Sequence, residues 1–363
     1  MDMFHDNPVL QGVRQMLGAF ARQMMRPIAI QHDRDESMPW ALMKAAQAVG
    51  MSQTAVLDGR KRLTGVDEDP DPGKPQAELR RLLQGDDAHG HIKIAAMALS
   101  EPGTGSDISG LNTTARADGD HFIVRGSKQW ITNGQSASAY LVWAQTDPAA
   151  GRGGVRAFLI ARDTPGLVPG RKETKLGIRA SETAQVHFED VRVHKDLMLG
   201  GAHAGTGTAG GLSDTKKMLD STRPAVGAQA VGIARAAYEF LLDRVRASSL
   251  HGTPMASHQH IMFELADMHM EIAASRLLVH RAAWMADHQL ENVADASAAK
   301  AHAARTAQLV TQRAMVLIGD EALEPGHPVE KWYRDAKIYD IFEGTGQIQR
   351  RMISRHLTGQ NPT

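Results

Sequence analysis

Between Leu219 and Leu357 the chain carries four alanine-rich stretches, Leu219 to Val245, Ile261 to Met285, Ala294 to Ile318 and Val329 to Leu357, whose apolar residues recur at three- and four-residue spacing. That spacing marks one face of a helix. Helices of such length, joined by short connections, bury those faces best as an antiparallel four-helix bundle. Ahead of them the period changes: Ile94 to Leu99, His121 to Arg125, Tyr140 to Ala144, Ala157 to Ile160 and Thr183 to Phe188 read as strands, punctuated by Gly119, Asp120 and Gly126. Short, regularly spaced strands with little helix between them predict a compact antiparallel barrel or sandwich. The first part is helical again. Val9, Leu10, Val13, Met16, Leu17, Phe20, Met24 and Ile28 line one face of a helix over Val9 to Ile30, and further helices are predicted over Trp40 to Val49 and Gln76 to Leu83. Between these last two, Leu57 to Lys74 gathers Asp67, Asp69, Pro70, Asp71, Pro72 and Gly73 and reads as a solvated loop.

The expected fold class is therefore α+β multi-domain. It comprises a small N-terminal helical domain over 1–95, a β-domain over 96–200, a glycine-rich linker over 201–213 and a C-terminal helical bundle over 214–363. Basic and acidic residues balance at 41 each, so no global charge steers the chain toward nucleic acid or an anionic membrane. The absence of cysteine removes disulfides, thiolate metal sites and a cysteine nucleophile, and fits a reducing compartment. With a polar start at Met1 to Leu10 and no apolar run of membrane-spanning length, the expected location is cytoplasmic. Several motifs invite over-reading. Gly205, Gly207 and Gly210 match a dinucleotide fingerprint, yet no strand leads into them and no acidic strand end follows, so a linker explains them. His89 with His91, and His258 with His260, lack further ligands at helical spacing, and no metal site is expected. Asn112 opens a glycosylation sequon that has meaning only in a secreted chain. Met262, Met268 and Met270 read as core filler.

One carboxylate stands out. Glu343 follows the apolar residues Ile338, Ile341 and Phe342 and precedes Gly344-Thr345-Gly346, a turn, with a second helical-looking segment beyond. Apolar neighbours can desolvate a carboxylate and raise its pKa toward neutrality, which suits a general base. Taken alone, the stretch reads more readily as a solvated Glu beside a helix break.

Six motifs in order bear on that choice: Ala98 to Asp107 (ALSEPGTGSD), Gly126 to Asn133 (GSKQWITN), Lys175 to Ser181 (KLGIRAS), Leu219 to Arg223 (LDSTR), Val329 to Asp335 (VEKWYRD) and Ile341 to Arg350 (IFEGTGQIQR). Together they resemble the acyl-CoA dehydrogenase family. The resemblance covers nearly all of the chain from about residue 96 onward and, more weakly, the first 50 residues. It implies FAD as cofactor, an acyl-CoA thioester as substrate, and electron-transfer flavoprotein as the acceptor of the electrons. A carboxylate removes the α-proton while the β-hydrogen leaves as hydride, giving a trans-2-enoyl thioester. The thioester oxygen is polarised by a flavin ribityl hydroxyl and the backbone N–H of the base, an oxyanion-type arrangement. By this resemblance Glu343 is the base. Leu99, Ser100, Trp130, Ile131 and Thr132 meet the flavin ring, with Gly105 and Ser106 near the FAD pyrophosphate. Ser106 also serves the pantetheine. Asp220 and Arg223 lie on the pantetheine side and beside the base, and Thr345 and Gln347 face the adenosine part of FAD. Residue by residue, the plain readings are a strand hydroxyl for Thr132, a packed aromatic for Trp130 and a bundle salt bridge for Arg223.

The chain also departs from the family. A neighbouring subunit normally gives each FAD an Arg and a Phe before a Gly, and later a Gln with a Gly-Gly pair. Here the first group has Ser248 and His251 before Gly252, and the second has Val316, Gly319 and Asp320. Loss of a cation and gain of an anion beside a pyrophosphate are both unfavourable, each unit-charge interaction at 4 Å being about 1 kcal/mol in bulk water and about 4 near a protein surface. The half-site that the chain presents to its own flavin keeps its motifs. The expectation is a catalytic subunit of a hetero-oligomer whose second, dehydrogenase-like chain supplies the missing groups, an arrangement that some bacterial members acting on bulky steroid-side-chain thioesters have. A shortened helical region between Leu57 and Ile92 would widen the acyl pocket and favour a bulky acyl group. The alternatives are a flavin-free or non-catalytic scaffold subunit, or a flavin monooxygenase or oxidase on the same fold.

Overall fold

In a computed structural model of the chain, described over residues 8–48, 73–108, 110–199 and 212–360, helices flank a curled seven-stranded sheet. Helix α1 (Pro8–Phe20) passes through one π turn (Ala21–Met25) into α2 (Arg26–Arg34). The pattern predicted over Val9 to Ile30 is thus continuous but contains one wider turn. That turn ends two residues before Pro27, whose ring would clash with the carbonyl four residues back in a regular helix. Helix α3 (Trp40–Ala48) follows, and α4 (Gly73–Leu82) begins where the loop was expected to end. The rest of that expected loop, and the glycine-rich connection with Gly205, Gly207 and Gly210, lie outside the described residues.

The sheet contains β1 (Ala95–Ala98), β2 (Thr114–Asp118), β3 (His121–Thr132), β4 (Ala139–Gln145), β5 (Val155–Ala161), β6 (Leu167–Lys172) and β7 (Thr183–His194). Its order is β1-β4-β2-β3-β7-β6, with β5 on the other edge of β4. Most pairings are antiparallel, as expected. Strand β4, however, is met in parallel by β1 along its length and by β2 at Thr114 opposite Gln145. Tyr140, Val142, Phe158, Ile160, Val186 and Phe188 fill the core on one side of the sheet.

After the sheet come α5 (Leu212–Ala247), α6 (Gln259–Asp287) and α7 (Val293–Ile318). The fourth expected helix is two helices. Helix α8 (Pro328–Ala336) tightens into a 3₁₀ turn (Lys337–Asp340), the chain then turns through Glu343 and Gly344, and α9 (Gly346–Thr358) starts afresh. The methionine reading is corrected as well. Met268 is fully buried, but Met262 and Met270 are 51% and 59% exposed. At 100° per residue Met262 and Met270 lie 80° apart on α6, whereas Met268 points to the opposite side. Of the histidines, His91 stacks on Trp40 with ring centroids 4.5 Å apart.

Helices and sheet are locked together where the Lys175 to Ser181 segment lies on α8. Ile178 holds a left-handed backbone (φ 42°), and its N–H donates to the buried Asp335 carboxylate at 2.6 Å. Arg334 donates to the Leu176 carbonyl at 2.9 Å and pairs with both Glu330 and Asp33 of α2, the latter at 2.7 Å. A cleft of about 160 Å³ beside this junction is lined by Asp33, Arg34, Arg179 and Arg334, none of them a residue expected at the site. Gly177 is what lets the segments close, because a Cβ there would sit 2.5 Å from the Arg334 carbonyl carbon and 2.6 Å from the Asp335 nitrogen. Gly177→Ala should destabilise the protein by about 1–3 kcal/mol through a backbone clash that no side-chain rotation relieves. Gly232→Ala, at an α5 position with nothing within 4 Å of the added carbon, should stabilise it by about 0.4–1 kcal/mol. Urea denaturation of the two variants reads both effects.

Candidate functional site

Glu343 stands in the turn between α8 and α9 with φ 55°, followed by Gly344 with φ 91°. A left-handed glutamate is held in place from several directions. Its carboxylate accepts the Thr222 hydroxyl of α5 at 3.0 Å. The buried Gln349 amide on α9 donates to the Glu343 carbonyl at 3.2 Å and to the Gly344 carbonyl at 2.9 Å. Lys300 of α7, fully buried, donates to the same Gly344 carbonyl at 2.6 Å. Burial pulls the Lys300 ammonium down to about 8, with Arg223 acting in the same direction and Asp340 and Glu343 opposing. Among the described residues the Glu343 N–H makes no hydrogen bond, so a donor and a carboxylate are available at one residue.

Arg223 is buried one residue after Thr222 on α5 and acts electrostatically on Lys300, whose ammonium holds the Gly344 carbonyl. Asp220 lies on the same helix, its side chain outside the described part. Thr345 is the N-cap of α9, its hydroxyl accepting the Ile348 N–H at 3.3 Å, and Gln347 is exposed in the first turn. A helix N-terminus carries partial positive charge from its free N–H groups.

The remaining expected residues form a second group at the sheet. The Ser100 carbonyl accepts the Gln129 N–H at 2.9 Å, which ties the end of β1 to β3. The β3/β7 register shifts between Lys128 and Ile131, and within that irregularity Trp130 takes φ 63° and is 58% exposed. Thr132 is exposed, whereas Ile131 is buried in the core. Gly105 and Ser106 lie on an exposed turn, and a Cβ at Gly105 would meet nothing within 4 Å. A flat indole presented to solvent from a strained backbone, two residues before the exposed Thr132, suits a planar aromatic group.

Beneath this surface is a pair that the motifs contain but the sequence reading did not single out. Lys128 donates to the Leu99 carbonyl at 3.1 Å and to the Glu101 carboxylate at 2.8 Å. Glu101 also accepts the Asn112 and Thr113 N–H groups at 2.7 and 2.9 Å. Burial draws the Lys128 ammonium down to about 8 against the pull of Glu101. For Glu101, burial is the largest influence and acts upward, but its Lys128, Thr113 and Asn112 donors together hold the carboxyl below its ordinary range. Both buried lysines had a sequence signal. Lys128 follows the buried Val124 by four residues in a strand that alternates, and Lys300 lies four residues after Ala296 and three before Ala303 on the buried face of α7.

Comparison with known proteins places these features in context. Residues 96–191 match the family model described as acyl-CoA dehydrogenase, middle domain, and residues 209–358 match acyl-CoA dehydrogenase, C-terminal domain. A mouse (Mus musculus) short-chain specific acyl-CoA dehydrogenase, mitochondrial, is 34% identical over 96% of this chain and 89% of its own. The cattle (Bos taurus) protein of the same description is 43% identical over 265 residues, 73% of this chain; the match spans 63% of that relative's length. Among solved structures, butyryl-CoA dehydrogenase from Megasphaera elsdenii matches with a TM-score of 0.82 at 28% identity, covering 98% of this chain and 99% of that one.

Lys128→Met should cost about 3–5 kcal/mol by leaving a buried carboxylate without its cation, and Lys128→Met combined with Glu101→Leu should recover much of that loss. A double-mutant cycle by urea denaturation measures the coupling.

Proposed function

We propose that this chain, which belongs to the acyl-CoA dehydrogenase family, performs the α,β-dehydrogenation of an acyl-CoA thioester to a trans-2-enoyl-CoA. The observation that carries the reading is the turn at Glu343, where a carboxylate and an unspent backbone N–H belong to one residue. Glu343 would take the proton α to the thioester carbonyl. Its N–H would donate to the thioester oxygen as negative charge develops there. Thr222, within hydrogen-bond reach of the Glu343 carboxylate, fixes the rotamer of the base. The residues present fit FAD: Trp130, Leu99, Ser100, Ile131 and Thr132 would border the ring, Gly105 and Ser106 the pyrophosphate, and Thr345 and Gln347 the adenosine portion. When bound, FAD supplies the acceptor for the β-hydride. Asp220 and Arg223 would lie toward the pantetheine side, with Ser106 serving both ligands. Electron-transfer flavoprotein would then reoxidise the enzyme, and the cysteine-free composition supports a cytoplasmic setting.

The finer part of the reading is a hetero-oligomer that acts on a bulky acyl group. Its support is local. His251, Val316 and Asp320 are exposed, and Ser248 is partly so, which leaves them available to a partner's FAD while lacking the groups a flavin needs. Helix α6 also exposes Phe263, Met270, Leu277 and Trp284 at seven-residue spacing, the pattern of a helix that packs against another. The Asp320 substitution equally suits a scaffold subunit. Anaerobic addition of substrate separates the two, because bleaching of bound FAD requires a dehydrogenase.

Glu343→Gln should lower turnover by about 10²–10⁴-fold or more while leaving flavin content and fold unchanged; retained activity would mean another base. Flavin content should be low after purification of the chain alone and complete after co-expression with a dehydrogenase-like partner, and full occupancy in the lone chain would remove the hetero-oligomer. A panel of linear and bulky CoA thioesters tests the acyl group, exclusive turnover of short linear substrates being the contrary result.

A further inference from the structure

Lys300 is a cation where the packing gives it little reason to be. The buried face of α7 around it consists of Ala296, Ala299, Ala303, Ala304 and Ala307, and Lys300 itself is fully buried. Removing an ammonium from water is costly, and attraction to other charges offsets this only when the geometry is good. Among the described residues no carboxylate lies within ion-pair distance of its Nζ; its hydrogen bond goes to the Gly344 carbonyl at 2.6 Å, the short length of a charge-assisted bond. A buried lysine spent on one backbone carbonyl needs that carbonyl to matter.

The carbonyl belongs to a strained turn. Glu343 and Gly344 both have positive φ, a conformation unfavourable for glutamate. Gln349 donates to the carbonyls of both residues, and Lys300 donates to the Gly344 carbonyl as well. Two donors on one carbonyl hold the peptide after Gly344 against relaxing toward an ordinary helical join.

The geometry points to Lys300 as the positioning residue of Glu343, holding through its ammonium the left-handed turn that aims the carboxylate and keeps the Glu343 N–H free. The inference rests on Glu343 being the base, but the hold on the turn is measurable independently. The charged and titratable groups facing the cluster are Arg223 from α5, Lys300 from α7, Asp340 from the 3₁₀ turn and Arg350 from α9, whose guanidinium lies beside Gly346. Tyr339, pushed by burial up to about 12, stays neutral. Lys300, drawn down by burial to about 8, loses its charge as pH rises through the working range. A neutral amine makes a weaker bond to the carbonyl, so the turn loosens as pH rises past that point.

Three measurements on the flavin-loaded protein test this. Lys300→Met should lower kcat by about 10²-fold with little change in KM, while flavin content and Tm hold or rise, because an apolar side chain of similar volume suits an alanine-packed face. Lys300→Arg, which keeps the charge, should restore part of the loss. Hydrogen exchange over the peptide containing Ile341 to Gly346 should speed up by about tenfold in Lys300→Met and stay unchanged in the sheet. A folded, flavin-loaded Lys300→Met with kcat near that of the native protein, or with unchanged exchange in the turn, overturns the proposal. Should Lys300→Met fail to fold, the native protein decides: exchange of the same peptide, corrected for the intrinsic pH dependence, should rise between pH 7 and pH 9 around the Lys300 value of about 8, and a flat corrected profile overturns it. Because exchange does not depend on turnover, an active Glu343→Gln would refute the proposed base without touching this result.

Discussion

The contact of Arg334 and Asp335 with the Lys175 to Ser181 segment is the interaction on which the placement of everything else depends. Arg334 reaches Asp33 of the N-terminal helices, Glu330 of its own helix and the Leu176 carbonyl of the β-domain, while Asp335 accepts the Ile178 N–H. Three parts of the chain thus meet at two adjacent side chains. Helix α8 runs from this junction into the turn bearing Glu343, so the junction sets where the carboxylate stands relative to the sheet.

Strain gathers in the same places. Trp130, Ile178 and Glu343 are all non-glycine residues with positive φ, and each lies in one of the six motifs. In each case the surroundings hold the backbone: an irregularity between β3 and β7 for Trp130, the Asp335 carboxylate for Ile178, and the Gln349 and Lys300 donors for Glu343. A backbone held against its preference by several independent bonds is pre-organised, and its side chain needs no rearrangement to act.

Much of this was legible in the sequence because period is a strong signal. Helices of three or more turns declare themselves, and the strands with buried alternating residues were located. Strand β2 escaped because it buries only Ala115 and so shows no alternation. Strand β6 escaped because Pro169 and Gly170 lie inside it; both are tolerated since β6 is the edge of the sheet and its register with β7 shifts there. The parallel approach of β1 to β4 could not be read, because pairing order leaves no local mark. The motifs point to Glu343, Arg223 and Trp130 within the candidate site; Thr222 and Gln349 lie in the same motifs and Lys300 on the buried face of α7, but their bonds around Glu343 arise only once the helices are packed. The break between α8 and α9 was foreshadowed by Gly344 and Gly346, though the helical period on either side of them disguised it.

The left-handed backbone at Glu343 has a bearing on the history of the chain. Glycine or asparagine would occupy that position with less strain, and either would make the turn easier to form. Stability alone therefore pulls position 343 away from glutamate, and a chain released from chemistry would be free to drift. A long acidic side chain there is strained in its backbone and is held by a buried lysine and a buried glutamine, so the turn costs folding energy that its packing must offset. Substituting glycine at this position would remove the strain and the carboxylate together, so the two cannot be separated by relaxing the turn.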